Sequence, residues 1–138
     1  MSDGLDLHDR AALGDLASRY AIAVDTRSFE RLREVFVEEA TLDTGRSVRS
    51  GIDEILTAME GLRRYVATSH VLGQQLVEAR SEGATGVTYC TAHHLSDGDR
   101  TDTVMHIRYH DEFVRTDAGW RIARRRLEVL WTDTQPVN

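Results

Sequence analysis

At 138 residues, 41% of them apolar and 29% charged, the chain is long enough for one domain with a core of its own. Seventeen basic against twenty-three acidic residues give a net charge of -6, which disfavours a nucleic-acid backbone or an anionic membrane surface as partner. The lone cysteine, Cys90, excludes an intramolecular disulfide, and no apolar run approaches the roughly 20 residues of a membrane span.

The leader Met1-Ser2-Asp3-Gly4-Leu5-Asp6 is acidic and lacks the apolar stretch of a secretory signal, so a cytoplasmic location is expected. From Leu7 to Val24, Leu13, Leu16, Tyr20 and Val24 recur at helical spacing and predict a helix with one buried stripe. Ser28 as N-cap, with Phe29, Leu32 and Phe36 behind it, predicts a second helix over Ser28–Phe36. Ala40–Asp43 reads as a short strand ended by Gly45. A third helix is expected over Gly51–Leu62, with Ser50 and Asp53 as a short-armed capping box.

Beyond Tyr65 the period changes to two. Thr68–Ala79, Ala84–Leu95, Thr103–Arg115 and Trp120–Thr132 read as four long strands joined by hairpin-length turns, an antiparallel meander. In the last strand the apolar parity slips from Trp120 and Ile122 to Leu127, Val129 and Trp131, which calls for a bulge or bend. Helices followed by a curved meander give an α+β fold, one domain over 1–138 with helices on the concave face. The run Arg124-Arg125-Arg126 lies in the last strand, where alternate residues face opposite sides, so it cannot form one flat basic patch.

The chemistry-bearing candidates are few. His8 falls in the charged leader, and His106 and His110 share parity with Arg108, so all three are expected to face water. His70, His93 and His94 lie within apolar or small-residue strands, where an imidazole with a pKa near 6.5 is suited to proton transfer. His93 and His94 are adjacent and only one can face inward; parity with Cys90 and Ala92 favours His94. Asp25 follows the first helix and could orient a histidine. Tyr20, on the buried stripe, could offer its phenol to a substrate oxygen, and Tyr109 could add a second. Asp25, His70 and His94 could also be drawn as a facial metal triad, but no helical H-E-x-x-H supports it, and no phosphate loop or nucleophile elbow occurs. Neither a metal nor a cofactor is therefore expected.

Two segments, Val24-Asp25-Thr26-Arg27-Ser28-Phe29-Glu30-Arg31-Leu32-Arg33-Glu34-Val35-Phe36 and Thr68-Ser69-His70-Val71-Leu72-Gly73, resemble the corresponding parts of scytalone dehydratase-type enzymes. The closing hairpin Gly119-Trp120-Arg121-Ile122-Ala123, with Trp131, resembles the last two strands of the SnoaL-like proteins of the NTF2-like superfamily. The resemblance implies a cone-shaped sheet with a pocket at its mouth and a catalytic set at Asp25, His70 and His94. Bile-acid dehydratases of this fold pair a tyrosine with an aspartate five residues later, as Tyr20 and Asp25 stand here. The scytalone enzymes' substrate-binding positions fall at Val24, Thr44 and Tyr109, all changed in type, so a different substrate is implied. With Cys90, these make the expected substrate-binding set.

The resulting expectation is a cofactor-free dehydratase acting on a small cyclic, polyketide-, steroid- or terpenoid-like hydroxy-carbonyl compound, with His94 held by Asp25. A cyclase or double-bond isomerase would use the same groups, and a non-catalytic ligand- or partner-binding module is the alternative of another class. The resemblance also implies a homodimer or higher homo-oligomer, joined through the outer sheet face.

Overall fold

A computed structural model describes residues 4–138; residues 1–3 of the leader lie outside it. Helix α1 (Leu7–Asp25) begins at a capping box formed by two acidic side chains. Asp6 accepts from the Asp9 amide at 2.7 Å, and Asp9 accepts from the Asp6 amide at 3.0 Å. Asp9 also accepts from both terminal nitrogens of the Arg115 guanidinium and from Trp120 Nε1, and these donors hold its carboxyl well below the usual range. One aspartate thus ties the start of the helix to a distant hairpin. The stripe Leu13, Leu16, Tyr20 and Val24 is buried as its spacing predicts.

The second helix is not an α-helix. Residues Phe29–Glu34 form a 3-10 turn, Ser28 makes no side-chain cap, and Phe36 opens strand β1 (Phe36–Asp43). Long-range pairing overrides local propensity here: the Ile122 amide donates to Val35 O, and Phe36 then aligns with Ile122. Strand β2 (Val48–Ser50) folds back on β1. Helix α2 (Ile52–Met59) follows, running into a 3-10 turn at Glu60–Arg64. Its cap is Gly51 at φ +91, a left-handed conformation that glycine adopts without strain, and the expected Ser50–Asp53 box is absent. Asp53 pairs with Arg33 instead.

The four long strands are β3 (Ala67–Arg80), β4 (Gly83–Ser96), β5 (Thr101–Thr116) and β6 (Gly119–Pro136). They form the expected meander within a six-stranded sheet of order β2-β1-β6-β5-β4-β3. All pairs are antiparallel except β1 with β6, a parallel pairing the alternation pattern could not show. The parity slip in β6 has two causes. The partner register skips Ala123 between Phe113 and Glu112, and skips Leu130 between Ile107 and His106. The first bulge turns Arg125, Leu127 and Val129 inward. The second sends Trp131 to the outer face, where it stacks on His106 with centroids 4.1 Å apart, so it does not share a face with Leu127 and Val129. α1 covers β3 and reaches β6, and the core lies between the helices and the concave face. Among the described residues no helix is long and apolar enough to cross a membrane.

Candidate active site

Asp25 is the last residue of α1, and the chain turns sharply after it: Arg27 adopts φ +60, and its guanidinium donates to Val24 O, Leu62 O and Thr68 Oγ1. The corner is thereby fastened to β3. Asp25 in turn accepts from three groups of β3: Thr68 Oγ1 at 2.9 Å, the His70 amide at 2.8 Å and His70 Nδ1 at 2.7 Å. A carboxylate can only accept here, so a ring proton sits on Nδ1, and in the neutral tautomer the lone pair is on Nε2.

His94 faces the same interior, as its parity predicts, and is nearly fully buried. His70 and His94 stand on neighbouring strands with ring centroids 6.1 Å apart. Asp25, however, holds His70 and not His94. His94 Nδ1 donates to Thr103 O at 3.0 Å, directly across the strand pair, so a backbone carbonyl fixes its tautomer. Burial, with a smaller push from His70, lowers the His94 pKa and keeps that ring neutral near pH 7. His93 points to the other face and pairs with Asp102.

Both histidines line a cavity of about 710 Å³ between the sheet and the α2 region. Tyr20 and Tyr109 form its deep wall, their rings edge to face at 5.7 Å, and Thr44 belongs to its outer part. Burial raises the pKa of both phenols, strongly for Tyr109, so each remains a donor. Asp25 stands behind His70 rather than on the cavity surface. Two residues expected to touch substrate do not line it: Val24 is sealed in the α1 stripe, and Cys90 is buried beside Tyr109 with its thiol pKa pushed up by desolvation. Small size allows Cys90 to pack tightly, so the room expected at that position is filled.

The residue that parity analysis left without a role is Arg125. The first β6 bulge brings it inward opposite Asp111, where two parallel hydrogen bonds of 2.8 and 2.9 Å join a fully buried ion pair. Burial opposes its charge, but Asp111 more than offsets this and the guanidinium stays protonated. It lies 4.4 Å from the Tyr20 ring centroid and 3.9 Å from that of Tyr109, with Nη1 unpaired. A signal was present: three consecutive arginines on a strand must send at least one inward.

An open curved six-stranded sheet with helices packed on it defines the class. The chain belongs to the SnoaL-like domain family of the NTF2-like superfamily, matched over residues 5–126. It is 30% identical over 126 residues to the uncharacterised protein Rv2910c of Mycobacterium tuberculosis, covering 87% of this chain and 84% of that one. Among solved structures it is similar to a scytalone dehydratase-like protein from Novosphingobium aromaticivorans, with a TM-score of 0.86, 24% identity and coverage of 96% and 91%. The LinA-type3 hexachlorocyclohexane dehydrochlorinase from Novosphingobium barchaimii superposes at a TM-score of 0.84, 20% identity and coverage of 94% and 91%. At these identities the two structures speak for the fold alone.

Proposed function

We propose that the protein is a cofactor-free dehydratase that eliminates water from a small apolar hydroxy-carbonyl compound. The observation that carries this reading is the Asp25–His70 pair on the cavity wall, a base with a fixed tautomer beside space for a substrate. His70 Nε2 takes a proton from the carbon α to the carbonyl, and the Asp25 carboxylate stabilises the imidazolium. Negative charge developing on the carbonyl oxygen is met by the Tyr20 hydroxyl, whose ring lies under the Arg125 cation. The C–O bond of the neighbouring carbon then breaks, and the imidazolium returns its proton to the departing hydroxide. Water leaves and the protein is unchanged. His94, neutral and anchored on Thr103 O, accepts a hydrogen bond from the substrate hydroxyl and holds it near His70.

The resemblance of the segments around Asp25 and His70 to scytalone dehydratase-type enzymes supports elimination over cyclisation or isomerisation. Assembly of copies through the outer sheet face belongs to the same proposal, supported by the exposed Val71, Leu76 and Trp131 there. Light scattering at micromolar concentration tests that part, and a monomer would exclude it. The reaction is tested by incubating the protein with a panel of hydroxy-ketones and detecting loss of water by mass. Asp25→Asn should lower any turnover found by about 10²–10⁴-fold, the usual worth of a general acid–base step. Unchanged turnover in Asp25→Asn would remove this pair from the reaction, and ligand binding with no loss of water across the panel would favour a cyclase, an isomerase or a binding module.

A further inference from the structure

The cavity changes character from floor to lip. Its floor carries the histidines and phenols, whereas its lip carries two guanidinium groups, Arg46 and Arg64. Among the described residues no aspartate or glutamate lines the cavity, although the chain as a whole carries -6. Arg46 sits in the turn between β1 and β2, which is braced by its own backbone. The Thr44 amide donates to Ser47 O at 3.0 Å, and the Gly45 amide to Asp43 Oδ1 at 2.8 Å. Arg64 ends the 3-10 turn after α2; its Nη2 donates to the Tyr65 hydroxyl at 3.1 Å, and its guanidinium lies 4.9 Å from the Tyr65 ring centroid. Tyr65 in turn contacts the His94 ring, with centroids 5.0 Å apart. The lip is thus joined to the floor through one aromatic side chain.

Arginines on this surface differ in their partners, and what sets Arg46 and Arg64 apart is their place at the cavity opening. Arg33, Arg63, Arg80, Arg108 and Arg115 each pair with a carboxylate. Arg46 and Arg64, like Arg31, Arg124 and Arg126, pair with no carboxylate among the described residues, but these two are exposed at the opening of a chamber that no carboxylate lines. Two unpaired cations at the entrance of a cavity without carboxylates form a local positive field on an acidic protein. Guanidinium presents a planar fork of donors that matches a carboxylate. We propose that the substrate carries a carboxylate, bound at the lip by Arg46 and Arg64, while its apolar body fills the cavity. The inference rests on the reading of this cavity as the active site and adds the chemical class of the molecule that enters it.

A matched pair of probes tests it without knowledge of the substrate. Naphthalene-acetate and naphthalene-acetamide share one aromatic body and differ in charge, and calorimetry measures the affinity of each for the full chain. In about 20 mM salt the acetate should bind about tenfold more tightly than the amide, and the margin should shrink toward unity in about 0.5 M salt. Each of Arg46→Gln and Arg64→Gln should remove about threefold to fivefold of the acetate's affinity, consistent with partly exposed ion pairs, and leave the amide's unchanged. The lysine variants should retain part of the margin. Equal affinities in the wild-type protein, no measurable binding of the acetate, or a margin that survives the double glutamine variant would each overturn the proposal. His70→Gln separates this from the catalytic reading: it should lower turnover by about 10²–10⁴-fold yet leave the acetate margin intact. A His70→Gln protein that still turns over would sink the catalytic role and leave anion binding standing.

Discussion

Two histidine–carboxylate pairs with the same 2.7 Å Nδ1–oxygen distance stand on neighbouring strands, and they differ in nearly everything else. His70 and Asp25 lie on the concave face, with the His70 side chain 7% exposed and Asp25 also accepting from Thr68 and the His70 amide. His93 and Asp102 lie on the outer face, with His93 39% exposed and Asp102 also accepting from the His94 amide. Pair geometry alone therefore does not mark a catalytic site. What differs is the surrounding medium and the view from the second ring nitrogen. Water screens the outer pair, so its attraction is worth little, whereas the inner pair acts across a partly enclosed space. The inner Nε2 meets a cavity; the outer one meets the convex surface.

The largest expected effect breaks that comparison most directly. Turnover should fall by about 10²–10⁴-fold in His70→Gln and stay within about twofold of wild type in His93→Gln, measured on whichever substrate the panel yields. Equal losses in both variants would mean that the outer pair matters as much as the inner one.

Next in size is the buried pair beneath Tyr20 and Tyr109. Arg125→Met strands Asp111 without a partner and should cost about 3–5 kcal/mol in a urea melt, while Arg125→Met combined with Asp111→Leu should recover most of that stability. Activity should not return in the double variant, because the cation near Tyr20 is still missing. Recovery of both would reduce Arg125 to a purely structural role.

A smaller effect concerns pH. Burial holds the His94 pKa below its ordinary 6.5, so in the window below 6.5 the unfolded chain binds a proton that the folded chain does not. Stability from this group is full above pH 6.5 and is lost as the pH falls through that window. The Tm of the wild-type protein should decline between about pH 7 and about pH 5, and the decline should be shallower in His94→Gln. Parallel declines in the two proteins would remove His94 as the cause.

The smallest effect is on the outer face, where His93→Gln should move the Tm by no more than about 1–2 degrees, as expected for a surface substitution. A larger loss would show that Asp102 needs His93 to keep the His94 strand in place.

The helix from Leu7, the four-strand meander and the inward orientation of His94 were legible in the sequence because each depends on a local period. Side chains three and four apart share a helix face, and alternate residues share a strand face, whatever lies opposite. The slip in β6 was legible too, since Ile122 and Leu127 cannot share a face without an extra residue. Three matters were decided only by the tertiary structure. Phe36–Asp43 became a strand parallel to β6 because residues far along the chain offered a ladder that helical spacing could not foresee. Arg125 became a buried cation because Asp111 stands opposite it in the β5–β6 register. And Asp25 met His70 rather than His94 because α1 packs on β3, with Arg27 and Thr68 fastening the corner there. Local periodicity assigns a side chain to a face, but its partner across 45 residues of chain is set by how the elements dock.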